Sequence, residues 1–323
     1  MASSRPATAA LLRALRRTST ATQPASRAAA TSLPLRTCPG PAATTTTAAA
    51  SAAAPLQFRR PSSTSSSTSS SSSTSSTYSS VSPEEVEHFN ILAADWWDPH
   101  GSSRLLHLMN PLRHNFIRDC LASQPDPSPT PTRFLDVGCG GGIFAESAAR
   151  LPDTTKVTAV DPTPGVLAIA KGHARRDPAL RGKLEYKAAT IETLPVPTKA
   201  EECYDVVSVF EVVEHVSSPA EFLDRCAPFV RPGGWLIGST IARTWTSWFT
   251  TNLIAEDILG IVPKGTHDWR KYINDDELKG MFMGKGWEMP RVVGVVYVPG
   301  LGWREVKGSE KVGNYFFGVR RAA

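Results

Sequence analysis

The sequence predicts an α/β fold: a seven-stranded, mostly parallel sheet with one antiparallel edge strand and helices on both faces. Three observations predict it. Between Arg133 and Ser239, short β-branched runs alternate with helical patterns, as βαβ units require. The first of those runs passes directly into a glycine-rich turn and then a helix. Past residue 286, two further β-rich stretches separated by glycine-rich sequence suit an antiparallel pair at the sheet edge.

The 323 residues hold 35 Lys+Arg and 30 Asp+Glu, a formal charge of +5, but the charge is uneven. Residues 1–80 contain eight Arg, no Lys and no acidic residue; 35 less eight leaves 27 basic against 30 acidic residues, so 81–323 carries −3. A basic, nucleic-acid-coating protein is disfavoured, because phosphate binding needs its basic stripe on the folded part. No apolar run reaches the ~18–20 residues that a bilayer span requires. The segment 1–80 is Ala, Ser, Thr and Arg with scattered Pro, ends in a Ser/Thr tract, and is expected to be disordered. Leu11, Leu12 and Leu15 share one helical face opposite Arg13, Arg16 and Arg17. An Arg-rich, Ser-rich, acid-free start reads as a mitochondrial transit peptide followed by a linker. Cys38, Cys120, Cys139, Cys203 and Cys226 form no C-x-x-C pair and read as scattered thiols of a reducing compartment.

The composition becomes globular from Val81 onward, and 81–323 reads as one domain. Ser82 caps a helix with Pro83 at its first position and Val86, Phe89, Ile91 and Leu92 leading to Trp96-Trp97. A second helix covers Leu105–Leu121, and the two make an N-terminal helical cap over 81–130 that ends in the proline-rich run 124–131. Strands follow at Arg133–Val137, Lys156–Val160, Leu184–Ala188, Tyr204–Phe210 and Trp235–Ser239. Helices Ile143–Arg150, Pro164–Arg176 and Pro219–Val230 lie between them, the last opened by the capping box Ser218-Pro219-Ala220-Glu221. Arg231–Gly234 turns into the fifth strand, and Val292–Val298 and Tyr315–Val319 are the closing pair.

The chemistry concentrates after the first strand, where Phe134 to Gly142 reads F-L-D-V-G-C-G-G-G. Glycines there let the backbone approach a ligand and aim N–H groups at it. A dinucleotide turn, G-x-G-x-x-G, would need glycine where Ile143 stands. Asp136, Gly138, Gly140 and Gly142 instead spell D-x-G-x-G-x-G, the arrangement of class I S-adenosylmethionine-dependent methyltransferases. The second strand ends at Asp161, 19 residues past Gly142, where a carboxylate accepts hydrogen bonds from ribose hydroxyls. Ile143, Thr190 and Ile191 then flank the adenine. After the fourth strand, Glu211, Glu214 and His215 share one side if the chain turns helically. Two readings stay open there: a divalent-cation site, with Mg²⁺ favoured by oxygen-rich ligation, or a hydrogen-bonded loop. The segment 245–262 carries two Trp, Phe, Leu and Ile with two charges, and it also reads two ways. It is an amphipathic helix lying among lipid headgroups, or a lid packed on the pocket.

Together with Ala94-Asp95-Trp96-Trp97-Asp98, Asn110-Pro111-Leu112-Arg113, E-V-V-E-H-V at 211–216 and V-P-K-G-T-H-D-W at 262–269, these motifs resemble one family. It is the ubiquinone-biosynthesis O-methyltransferases of the coenzyme Q pathway, and the resemblance runs from about His88 to Val319. It implies a Rossmann-like fold and methyl transfer from S-adenosylmethionine to a catechol oxygen of polyprenylated precursors, a dihydroxy-polyprenylbenzoate and demethylubiquinol. It also implies that Arg113, Gly138, Asp161 and Phe210 touch the cofactor and that Glu211, Glu214 and His215 bind a divalent cation. His215 and His267 are candidate general bases; a loop hydrogen bond beside Gly265 is the alternative for His267. The implied setting is the matrix side of the inner mitochondrial membrane, with peripheral contact through 245–262 and membership in a multi-enzyme complex. Two departures stand out. Ala189 replaces an acidic residue that many relatives place near the adenine, and Pro162-Thr163-Pro164 stiffens the turn after Asp161. An RNA 2′-O-methyltransferase would show basic stripes interleaved with aromatics, which 81–323 lacks. Against a non-catalytic subunit of a biosynthetic complex stand the intact glycine loop, Asp161 and the Glu/His cluster.

Overall fold

A computed structural model describes residues 79–125, 132–244 and 271–323. The chain divides into Met1–Ser71, which lies outside the described residues, and Ser72–Ala323. The expectations for the leader up to residue 78, for 245–262 and for His267 likewise fall outside them.

Two helices precede the sheet, α1 (Pro83–Leu92) and α2 (Arg104–Ser123). The Glu85 N–H donates to Ser82 Oγ at 3.2 Å, so Ser82 caps α1 as its sequence predicts. On α2, Met109, Arg113, Phe116, Ile117 and Cys120 form a single buried stripe. Arg113 is the one charge in that stripe.

The core alternates β1 (Thr132–Val137), α3 (Ile143–Ala149), β2 (Thr154–Asp161), α4 (Pro164–Ala174), β3 (Leu184–Ala188) and β4 (Tyr204–Phe210). Then come α5 (Pro219–Cys226), β5 (Val230–Ile241), α6 (Asp275–Phe282), β6 (Arg291–Val298), β7 (Gly302–Glu305) and β8 (Asn314–Arg320). The strand order is β3-β2-β1-β4-β5-β8-β6-β7. The first five strands are mutually parallel, while β8 runs antiparallel between β5 and β6, and β7 is an antiparallel edge.

The sheet has eight strands where the sequence predicted seven. The addition, β7, is the four residues GWRE, too short and glycine-bound to show a period. The other antiparallel strand, β8, is internal because Tyr315, Phe316, Phe317 and Val319 leave no solvent face to give an edge. Helix α6 went unread although Asn274 and Glu277 form its capping box. At α5 the expected box does not close: Glu221 pairs instead with Arg225 at 3.2 Å, and Ser218 makes no side-chain cap bond. That helix stops at Cys226 in place of residue 230, because Pro228 cannot continue it. The expected turn Arg231–Gly234 is a bulge inside β5, where the register against β4 shifts.

Adjacent residues on each inner strand serve opposite layers. Phe134, Val206, Ile237 and Phe316 pack with Phe116, Cys120 and Phe144. Leu135, Val207, Leu236 and Phe317 pack with Phe222, Cys226, Leu278 and Phe282. Burial on both faces explains the unbroken apolar runs that marked these strands. Cys120, Cys139 and Cys226 are buried free thiols and Cys203 a half-buried one, as their spacing suggested. Among the described residues no helix is long and apolar enough to cross a membrane. The strand order reverses between β1 and β4, which opens a crevice beyond their carboxyl ends.

Candidate active site

A cavity of about 810 Å³ occupies that crevice. Its walls are the segments after β1, β2, β3 and β4, together with α1, α2 and the β6–β7 hairpin.

The glycine loop forms the floor. Gly138, Gly140 and Gly142 have φ of 68°, 53° and 87°, a region that side chains resist. Packing makes a second demand. A Cβ on Gly140 would lie 2.5 Å from Trp96 Cζ2, and one on Gly142 would collide with the Tyr186 hydroxyl. The turn after α1 therefore lays an indole on the loop. Next to it, Trp97 Nε1 donates to the Gly141 carbonyl at 2.9 Å and its ring stacks on His173 at 3.5 Å. The tryptophan pair fastens the helical cap to the cofactor loop.

Asp136 and Asp161 line the cavity beside that loop. Burial pushes the Asp136 carboxyl up to about 7, while a 2.7 Å hydrogen bond from Ser208 Oγ limits the rise. Asp161 Oδ2 accepts the Gly140 N–H at 2.9 Å, and Oδ1 accepts the Thr163 N–H at 2.8 Å. Burial raises its pKa and these two amides oppose the rise. The Asp161 carboxylate thus braces the glycine loop as well as facing the cavity. Ile143, Ala189, Thr190 and Ile191 line the same end.

Arg113 projects from the buried stripe of α2 with its guanidinium 4.8 Å from the centre of the Phe210 ring. Burial lowers its pKa, against the charges of Glu211, Asp136 and Glu214. Its buried Nε has no hydrogen-bond partner. A buried cation with an unused donor beside a cavity suits a ligand carboxylate.

Glu211 begins the turn after β4 in a left-handed conformation, φ 57°. Its N–H donates to the Ser239 carbonyl at 3.1 Å, and Ser239 Oγ donates to its Oε1 at 2.5 Å. Thr240 Oγ1 donates to Glu214 Oε2 at 2.9 Å. Burial, then the Glu211 charge, pushes the Glu214 carboxyl up to about 7. His215 ends a tight 3₁₀ turn, Val213–His215, and reaches α1, where Nδ1 lies 3.0 Å from Glu85 Oε2. Burial pushes the imidazolium pKa down, but the Glu85 bond and the Glu214 and Glu85 charges outweigh it and raise it. Burial also raises Glu85, yet bonds from His215 and from Lys271 Nζ, at 2.7 Å, hold it at about 2. Each glutamate thus accepts from its own β5 hydroxyl, and His215 follows Glu214 with Nδ1 already engaged. Among the described residues, no three His, Cys, Asp or Glu side chains converge closely enough to hold a metal ion.

Sequence reasoning missed Glu85, Lys271, Ser208, Ser239 and Thr240 as parts of this site. The signal for Ser239 is its pairing opposite Phe210, which exists only once β4 and β5 are in register.

Residues 105–291 match the methyltransferase domain family. The chain is 44% identical over 226 residues to the mitochondrial ubiquinone biosynthesis O-methyltransferase of Schizosaccharomyces pombe, covering 68% of this chain and 77% of that protein. It is 35% identical over 285 residues to the Saccharomyces cerevisiae protein of the same name, covering 75% and 89%. A ubiquinone biosynthesis O-methyltransferase of Methylobacterium sp. (strain 4-46) is 38% identical over 253 residues, covering 76% and 98%. Among solved structures, the plantazolicin methyltransferase BpumL, in complex with a monoazolic desmethylPZN analog and SAH, shares the fold. Its TM-score is 0.50 at 16% identity, over 74% of this chain and 98% of that one. A class I fold, a cofactor-type glycine loop at its switch point and relatives of this closeness agree: the chain belongs to the ubiquinone-biosynthesis O-methyltransferases, which are S-adenosylmethionine-dependent.

Proposed function

We propose that this protein methylates a catechol oxygen of polyprenylated ubiquinone precursors, namely a dihydroxy-polyprenylbenzoate and demethylubiquinol, from S-adenosylmethionine. The cavity's charge carries this reading. Among the described residues, Glu85, Asp136, Asp161, Glu211 and Glu214 line it with the guanidinium of Arg113 and the imidazole of His215. Such a wall suits the sulfonium of the cofactor and a divalent cation, and it disfavours a polyanionic phosphate backbone. The relatives' names supply the substrate class.

S-adenosylmethionine, when bound, supplies an electrophilic methyl on a positively charged sulfur. Arg113 would hold its carboxylate, Asp161 its ribose hydroxyls, and Ile143 and Ile191 its adenine, with Phe210 on the remaining side and the loop amides of Gly138–Gly142 beneath. Glu211, Glu214 and His215 have the donor types a divalent cation takes, Mg²⁺ first, although among the described residues the three do not converge as a ligand set. Two neighbouring carboxylates, one pushed up to about 7, form an excess of negative charge that a cation neutralises. A cation there would act as Lewis acid and template toward adjacent ring oxygens. Ser239 and Thr240 orient the two carboxylates, and Glu85 occupies Nδ1 of His215, which leaves Nε2 to ligate or to accept a proton. His267 is retained as the second candidate base.

The Arg-rich leader and the relatives named mitochondrial support a matrix address for an 81–323 methyltransferase domain. Peripheral contact with the inner membrane through 245–262 and membership in a coenzyme Q biosynthetic complex complete the proposal. The test is transfer of labelled methyl to a short-tailed catechol, with and without EDTA. No transfer to any catechol overturns the reaction, and transfer indifferent to thorough chelation overturns the cation. For the membrane, Trp248→Glu/Phe249→Glu should lose liposome flotation; equal flotation by two folded proteins removes that segment from the proposal.

A further inference from the structure

We infer that the β6–β7 hairpin and the first turns of α2 form a binding arm for the isoprenoid tail of the substrate, an inference that rests on the proposed reaction. The cavity's lining also includes Leu105 and Met109 of α2 and Val295, Tyr297 and Trp303 of the hairpin. None of these five is charged. Asn314 pairs with Ile241 on one side and with Val295 on the other. The arm therefore lies at the same end of the sheet as Glu211, but over β8 and β6, on the far side from the glycine loop.

The polar tips of the two aromatics are engaged. Trp303 Nε1 donates to the Leu105 carbonyl at 3.0 Å, and Arg104 Nη1 donates to the Tyr297 hydroxyl at 3.5 Å. Their rings lie 5.5 Å apart. What these side chains present to the cavity is ring carbon and aliphatic carbon, a lining that suits hydrocarbon and penalises unpaired polar groups. The polar parts of cofactor and catechol belong at the Arg113 and Glu211 end, so the ring's prenyl substituent is the portion that matches this wall. The arm also reaches the surface. Pro299 lines it and is exposed, so a tail longer than the arm need not be enclosed. Strand β7 thereby has a use, since its pairing of Gly302–Glu305 with Val295–Val298 holds Trp303 in the wall.

The experiment measures kcat and KM of the full chain for catechols carrying zero to three isoprene units. In wild type, each enclosed unit should raise kcat/KM at least ~10-fold, chiefly through KM. Leu105→Trp, which fills the arm, and Tyr297→Ser, which makes it polar, should each lower the ratio of tailed to tailless kcat/KM at least tenfold. Unchanged melting temperature and S-adenosylmethionine affinity identify the folded variants. If both variants unfold, a catechol with a diazirine-bearing tail replaces them, and its crosslinks should map to Tyr297, Trp303 or Leu105. A ratio unmoved in folded variants, crosslinks elsewhere, or a wild type active but indifferent to tail length overturns the arm. A wild type that methylates no catechol overturns the reaction itself.

Discussion

Gly140→Ala tests whether the N-terminal cap is built onto the cofactor loop. Gly140 has φ 53°, so any side chain there costs about 1–2 kcal/mol of backbone strain. The added Cβ would also stand 2.5 Å from Trp96 Cζ2. Trp96 is 7% exposed and packed with Ala93, Ile143 and Val166, so it has little room to give. Overpacking of this kind adds about 1–3 kcal/mol. Gly284 is the matched control: φ is 71°, and nothing lies within 4 Å of its Cβ position. Gly284→Ala should show the strain alone. The difference between the variants corresponds to roughly 2–4 °C of melting temperature per kcal/mol in a domain of this size. Scanning calorimetry reads it, and titration calorimetry should show weaker S-adenosylmethionine binding for Gly140→Ala only. Adding Trp96→Ala to Gly140→Ala should remove the excess S-adenosylmethionine penalty caused by the clash. Equal melting shifts for Gly140→Ala and Gly284→Ala would refute the packing of Trp96 on the loop.

Arg113→Met removes the buried guanidinium whose Nε has no partner, and S-adenosylmethionine affinity should fall about 10–100-fold, the worth of one charged hydrogen bond. An unchanged Kd by titration calorimetry removes Arg113 from the cofactor site. EDTA should abolish methyl transfer and Mg²⁺ restore it, and Glu211→Gln/Glu214→Gln should not recover at the Mg²⁺ concentration that restores wild type. His114 supplies a pH signature. Burial, then the Arg113 charge, holds its imidazole at about 4 against 6.5, and its Nε2 lies 2.7 Å from Ser147 Oγ. The unfolded chain takes up that proton below pH 6.5 and the folded chain only near 4. Stability is therefore full above 6.5, drains by on the order of 2–3 kcal/mol as pH falls to 4, and then levels off. Urea melts should show this slope flattened in His114→Gln; an identical slope would sink the assignment.

The parallel half of the fold was legible residue by residue. The expected bounds of β3 and β4 match the observed strands, since apolar runs capped by turn residues carry their own ends. The other half was less so. β7 has one inward residue in four, and the internal place of β8 is a choice among partners that no local pattern encodes. In the site, Asp136, the three glycines, Asp161 and Phe210 stood out because each sits at or just past a strand end; the structure gathers Asp136, Gly138, Gly140, Asp161 and Phe210 around one cavity, while Gly142 packs against Tyr186. The reason for the glycines was half seen: ligand approach was readable, whereas Trp96 and Tyr186 pressing on the loop was not.

The sequence alone determined the layered sheet, the cofactor loop and the acidic balance of the folded part, because these follow from spacing and residue type along one stretch of chain. Only the tertiary structure decided what each charged group meets. Glu85 and His215 are 130 positions apart and 3.0 Å in space, and Ser239 reaches Glu211 only through the register of β4 and β5. The apolar arm likewise joins α2 to a hairpin nearly two hundred residues on, as the Trp303–Leu105 bond shows. Such pairs are selected by packing, and packing is a property of the whole core.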